Sequence, residues 1–162
     1  NHAGMPVYVH AKVCVVDDIW ASVGSDNVNR RSWTHDSEIS CAVLDDDLDE
    51  REPRVVDGYG IGARRFARGL RVGLAREHLD RDGGDDADLV DPVSAFEEFA
   101  KSAGRLQSWH DTGCLGNRPP GRLRPYADVA LPRRTMLWAR PIYRTIYDPD
   151  GRPLSMRIRN RY

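Results

Sequence analysis

The clearest pattern in the chain is a run of β-branched and apolar residues from Val7 to Val16 (VYVHAKVCVV), which predicts a strand. Asp17-Asp18 follows as a tight turn, and Trp20 to Val23 predicts a second strand, completing a hairpin. Gly24 to His35 is polar and reads as loop, before Glu38 to Leu44 (EISCAVL) predicts a third strand. Both longer strand candidates are apolar on both faces, a pattern suited to a sheet covered by helices on each side. Asp45 to Ile61 reads as a linker. Gly62 to Leu79 predicts a helix, with Phe66, Leu70, Leu74 and His78 at helical spacing. Gly83 to Asp91 reads as an acidic loop. Pro92 to Trp109 predicts a helix, with Asp91 as its N-cap and Pro92 in its first turn. Pro119 to Pro132 is irregular, Met136 to Tyr147 predicts a short helix interrupted at Pro141, and Leu154 to Ile158 predicts a last strand. The expected class is α/β: a mixed sheet flanked by helices over residues 1–80, with a helical and Arg/Pro-rich extension over residues 81–162.

Composition narrows the possibilities. The chain has 162 residues, 40% hydrophobic and 30% charged, with a net charge of -1. That excludes a polyelectrolyte binder as a whole, although Arg118 to Arg144 and Arg152 to Arg161 are basic stretches. No apolar run is long enough to span a bilayer. The three cysteines, Cys14, Cys41 and Cys114, form no C-x-x-C pair, so neither a disulfide framework nor a zinc site is expected. Cys14 and Cys41 lie in apolar runs and read as small buried hydrophobes. Basic residues are overwhelmingly arginine, and Lys12 and Lys101 are the two lysines. A lysine at a motif position therefore points to chemistry that a planar guanidinium does not supply.

That motif is His10-x-Lys12, followed by Asp17, Gly24-Ser25-x-Asn27 and Glu38. In a continuous strand His10 and Lys12 share a face. Two cationic groups side by side call for an anion between them, and a phosphate is the natural one. Gly24 permits close backbone approach. Ser25 and Asn27 offer a hydroxyl and an amide to phosphate oxygens. Glu38, from a separate strand, is placed to hold the second ring nitrogen of His10, fixing its tautomer and raising its basicity.

The segment HAKVCVVDDIWASVGSDN resembles the HKD signature of the phospholipase D superfamily, H-x-K-x4-D-x6-G-S-x-N, at every defining position. The flanks Pro6 to Val9, Asn29 to Ser32 and Asp36 to Glu38 resemble the second copy in two-motif, cardiolipin-synthase-like members. The resemblance implies a sandwich of two similar halves, each giving one motif, and phosphodiester cleavage or transfer through a covalent phosphohistidine. It implies that His10 is the catalytic histidine of this half, acting as general acid and base, that Lys12 and Asn27 bind phosphate, that Ser25 supports them, and that Glu38 orients His10. Asp17 and Gly24 are then structural parts of the motif. No cofactor or metal is implied. His2, His35, His78 and His110 lack a lysine two residues on, so a second motif is expected either from an upstream half, the favoured reading, or from a second copy of this chain. The expected substrate is a phospholipid, and the expected location is cytoplasmic, with possible contact at the inner face of a membrane. The alternatives are a homodimeric endonuclease cutting DNA and a non-catalytic half retained for assembly or lipid binding.

Other signals carry less. Gly58 to Gly62 lacks the spacing of a nucleotide loop, and Asp80 to Asp86 lacks the closing glutamate of a calcium loop. Trp109-His110-Asp111 reads as a helix end. Trp138, Tyr143 and Tyr147 read as core packing in preference to an interfacial membrane patch.

Overall fold

In the computed structural model, which describes residues 9–56, 60–83, 86–126 and 130–159, strands β1 (Lys12–Val16) and β2 (Trp20–Gly24) are joined by the Asp17-Asp18 turn. Both turn residues have positive φ, 52° and 53°, and Ile19 N donates to Val16 O at 2.9 Å. Positive φ at both central positions is the turn whose twist matches a hairpin, and aspartate tolerates it better than most residues. Strand β3 (Ser40–Leu44) completes an antiparallel three-stranded sheet in the order β1-β2-β3.

Two expectations for the sheet are corrected. The strand beginning at Val7 is shorter, because His10 and Ala11 lie ahead of β1 and Val7 and Tyr8 fall outside the described residues. Nor are the strands covered on both faces. Val13, Cys14, Val16, Cys41 and Leu44 are exposed, so apolar sequence here does not mean burial in this chain, and the cysteines are not the buried groups expected.

The chain forms two contact units. One comprises residues 1–13, 22–41 and 128–162, and the other 14–21 and 42–127. Asp80 closes a helix and accepts from Gly121 N at 3.0 Å and Arg122 Nε at 2.6 Å.

In the second unit, α2 (Arg65–Leu79), α3 (Ala87–Val90) and α4 (Pro92–Asp111) pack around Val72, Ala75, Leu79, Leu89 and Ala95, with Phe99 against them. Burying Leu79 and Leu89 stabilises the unit by about 1.5–3 kcal/mol each. The buried face of α2 is Ala67, Arg68, Val72, Ala75 and Leu79, one register away from the Phe66 stripe, and Phe66 itself is exposed. Asp91 caps α4 as expected, accepting from Ser94 N at 2.8 Å. The acidic loop before it contains α3.

Arg68 decides that register. It is fully buried, and its Nε donates to Asp18 Oδ2 at 3.0 Å. Its other nitrogens donate to Arg51 O at 2.8 Å and Pro53 O at 2.6 Å. Arg71 grips the same Asp18 carboxylate with Nε at 2.6 Å and a terminal nitrogen at 2.7 Å, and also reaches the carbonyls of Leu89 and Val90. Each guanidinium nitrogen has an acceptor, the condition under which a buried charge is tolerated. Asp18 O further accepts from Arg64 N at 2.7 Å, so the hairpin turn anchors the start of α2.

In the first unit, the expected loop after β2 contains α1 (Arg30–Thr34). It is capped by Asn29, whose side chain accepts from Ser32 N at 2.9 Å. Near the C-terminus, α5 (Arg133–Ile142) contains Pro141 and is not interrupted there. It runs on into a π-helical segment, Tyr143–Tyr147, and Thr145 Oγ1 donates to Pro141 O at 2.9 Å. Leu154–Ile158 is the helix α6 and not a strand; a five-residue apolar run without strict alternation carries no period strong enough to separate the two.

Candidate active site

The centre of the site is the carboxylate of Glu38, four residues past the end of α1 and two before β3. Its Oε2 accepts from the Ser25 hydroxyl at 2.5 Å and its Oε1 from the Ser32 hydroxyl at 2.7 Å. The two serines arrive from different local structures. Ser25 directly follows β2, where its backbone N donates to Ile39 O at 3.0 Å and its hydroxyl accepts from Ile39 N at 3.2 Å. Ser32 is buried in α1, positioned by the Asn29 cap. The Ser25 hydroxyl, followed by that of Ser32, holds the Glu38 carboxyl below the ordinary carboxylate range. Partial burial opposes this, and the positive charges of His10 and Lys12 add to it. Glu38 is thus a fixed anion that feels both cationic residues of the motif.

Gly24 makes this junction possible. A Cβ there would lie 2.7 Å from Ile39 O and would collide with the Ser40 hydroxyl. The chain entering β3 therefore passes directly against the end of β2, which keeps Ser25 within reach of Glu38. The Ser40 hydroxyl also donates to the Asp26 carboxylate. Asn27 is partly buried, and its carbonyl accepts from Asn29 N at 2.8 Å. Lys12 is partly buried at the start of β1, and His10 is exposed just ahead of it.

Asp17 and Asp18 have different fates. Asp17 is exposed in the turn, while the Asp18 carboxylate is buried among Arg68 and Arg71. The motif aspartate therefore shapes the turn, and its neighbour carries the ion pairs. Nothing in the local sequence distinguishes the two.

Two further residues escaped the sequence reading. Ser32 sits three positions after the Asn29 cap, a spacing that could have revealed the start of α1. Asp148, in what reads simply as a turn, accepts from Arg31 N at 2.9 Å and pairs with Arg30 at 3.4 Å. Arg30 also donates to the carbonyls of Asp148 and Arg144, and Gly151 N donates to Thr34 Oγ1 at 2.9 Å. These bonds strap the C-terminal segment onto α1. Beside the strap, Val28, Trp33, Arg140, Tyr143 and Arg144 are among the residues lining a cavity of ≈520 Å3. On its rim the Arg152 guanidinium holds Asp150 down at about 2.

Among the described residues, no cluster of three or more histidine, cysteine, aspartate or glutamate side chains is placed to hold a metal ion, and no helix is long and apolar enough to cross a membrane.

Residues 1–51 match the family model described as cardiolipin synthase, PLD-like domain. On this match and those that follow, the chain belongs to the phospholipase D superfamily. Phospholipase D1 of Homo sapiens is 40% identical over 116 residues, covering 68% of this chain and 11% of that protein. Phospholipase D1 of Saccharomyces cerevisiae is 40% identical over 118 residues, 68% of this chain and 7% of that protein. Phospholipase D zeta 1 of Arabidopsis thaliana is 39% identical over 90 residues, 54% of this chain and 8% of that protein. The chain thus spans about a tenth of the length of these curated relatives. No solved structure matches it.

Proposed function

We propose that this chain supplies one half of a phosphodiesterase or phosphatidyltransferase site acting on phospholipids through a covalent phosphohistidine, with the second half of the site coming from another HKD motif. The observation that carries this reading is the Glu38 carboxylate, locked by Ser25 and Ser32 and influenced by both His10 and Lys12. A carboxylate held ionised beside an imidazole stabilises the protonated ring and fixes its orientation, as a group that donates and then recovers a proton requires. Lys12 and Asn27 hold the phosphoryl oxygens as negative charge develops on them. His10 protonates the departing alcohol. It then takes a proton from the water or alcohol that releases the phosphoryl group from the other histidine. No metal or cofactor takes part in these steps.

The relatives named phospholipase D favour a lipid substrate over a nucleic acid. The test is an assay of the protein together with its second motif, supplied in the same polypeptide or by a second copy, against phosphatidylcholine, phosphatidylglycerol and plasmid DNA. Release or exchange of a lipid headgroup with intact plasmid is the expected result. Nicking of DNA with unchanged lipids would replace this reading with the nuclease.

A further inference from the structure

The segment from Ala130 to Tyr147 contains four arginines and no acidic residue. Its side chains were expected to pack into a core, and they do not. Trp138, Ile142 and Ile146 follow one another at four-residue steps and are 62%, 41% and 66% exposed. Leu137, Tyr143 and Tyr147 are exposed as well, the two tyrosine rings stacked with centroids 6.4 Å apart. Arg140 and Arg144 occupy another stripe, on the side that lines the ≈520 Å3 cavity. An exposed apolar stripe on a helix whose charges are all positive is complementary to one kind of surface: apolar within and anionic at its boundary. The ten residues of α5 and five of the π-helical segment make about 22 Å of helix at about 1.5 Å per residue, which is too short to span a bilayer and suited to lying in its plane.

We propose that α5 and the π-helical segment form a docking surface for an anionic phospholipid bilayer, with Trp138, Ile142 and Ile146 in the acyl boundary and Arg133, Arg134, Arg140 and Arg144 at the headgroups. This rests on the reading of the substrate as a phospholipid and adds the surface by which it is met. The limb is not a loose tail. Arg30 and Arg31 hold Asp148 and the Arg144 carbonyl, and Thr34 holds Gly151, so the docking helix is strapped to the helix that carries Ser32. Seating it on a membrane sets the Glu38 site at a fixed height above the lipid headgroups.

The experiment is sedimentation of the full chain with vesicles of phosphatidylcholine alone and of phosphatidylcholine with phosphatidylglycerol, together with tryptophan fluorescence. Binding should require the anionic lipid and fall steeply between about 0.1 and about 0.5 M salt, a range over which surface attraction is progressively screened. Trp138→Glu should abolish binding. Arg133→Glu with Arg134→Glu should weaken it by more than twentyfold, at about fivefold per arginine removed from the surface. Emission should shift to the blue on binding, and Trp138→Phe should remove that shift while binding persists. Circular dichroism separates misfolding of Trp138→Glu from loss of docking, and the arginine pair provides an independent variant. Equal binding to neutral vesicles, binding unaffected in both charge-altered variants, or a stripe that instead drives a dimer lost in Trp138→Glu without any vesicle binding would each overturn the proposal. Headgroup release from a monomeric short-chain phosphatidylcholine by the protein together with its second motif tests the chemistry separately. Its failure with vesicle binding intact counts against the proposed activity and leaves the docking surface standing.

Discussion

The hydroxyl of Ser25 lies 2.5 Å from Oε2 of Glu38, joining the residue just after the second strand to one two positions ahead of the third. Together with Ser32 it determines how strongly this carboxylate holds its charge. Ser25→Ala and Ser32→Ala should each raise the Glu38 pKa toward the ordinary value, and the double variant should raise it most. A depressed folded-state pKa stabilises the fold above the unfolded-state value, and the contribution is lost as pH falls through the folded-state value. With the hydroxyls removed, the acid limb of the activity profile should therefore move to higher pH. A profile measured from pH 4 to 8 (a range of about four units around the carboxylate and imidazole values) checks this, and an unmoved acid limb in the double variant contradicts it.

The buried pair Asp18–Arg68 makes a prediction about stability. Asp18→Ala strips Arg68 and Arg71 of their shared carboxylate and should cost about 3–5 kcal/mol, because the buried Arg68 then keeps only the more distant Asp49, at 3.5 Å, as a counter-ion. Asp17→Asn, one residue away and exposed, should change stability by about 0.5 kcal/mol or less, since asparagine also tolerates positive φ. Urea denaturation of the two variants distinguishes them, and equal effects would contradict the assignment of the anchor to Asp18.

Gly24→Ala tests the junction itself. The added methyl group meets the Ile39 carbonyl and the Ser40 side chain, so β2 and the entry to β3 must separate. A loss of about 1–3 kcal/mol is expected from the overpacking, along with a rise in the Glu38 pKa as Ser25 draws away. Gly24→Ala with native stability and an unchanged acid limb would show that the close approach is dispensable.

These contrasts show what the sequence could and could not reveal. The hairpin was legible because β-branched runs flank two aspartates suited to positive φ. The start of α4 was legible because Asp91 and Pro92 are both local signals. The motif was legible because its identities and spacings lie within thirty residues. What failed depended on distant partners. The loop containing α1 is helical because Asn29 caps it, and it is held by Asp148 more than a hundred residues away. Arg68 reads as one more solvated arginine until Asp18, Arg51 and Pro53 surround it. Cys14, Cys41, Trp138 and Tyr147 read as core because apolar residues usually are, yet they are exposed in this chain. Periodicity reports which face is apolar and not what covers it.

The account turns on His10 as the proton-transferring group of this half-site and on Glu38 as the residue that positions it. The most direct measurement is turnover of a short-chain phosphatidylcholine by the protein with its second motif, comparing native, His10→Ala and Glu38→Gln. His10→Ala should lower kcat by about 100- to 10,000-fold, the contribution of a positioned acid and base. Glu38→Gln should give a smaller loss, with its acid limb no longer set by a carboxylate. Turnover by His10→Ala within a few-fold of native would contradict the account.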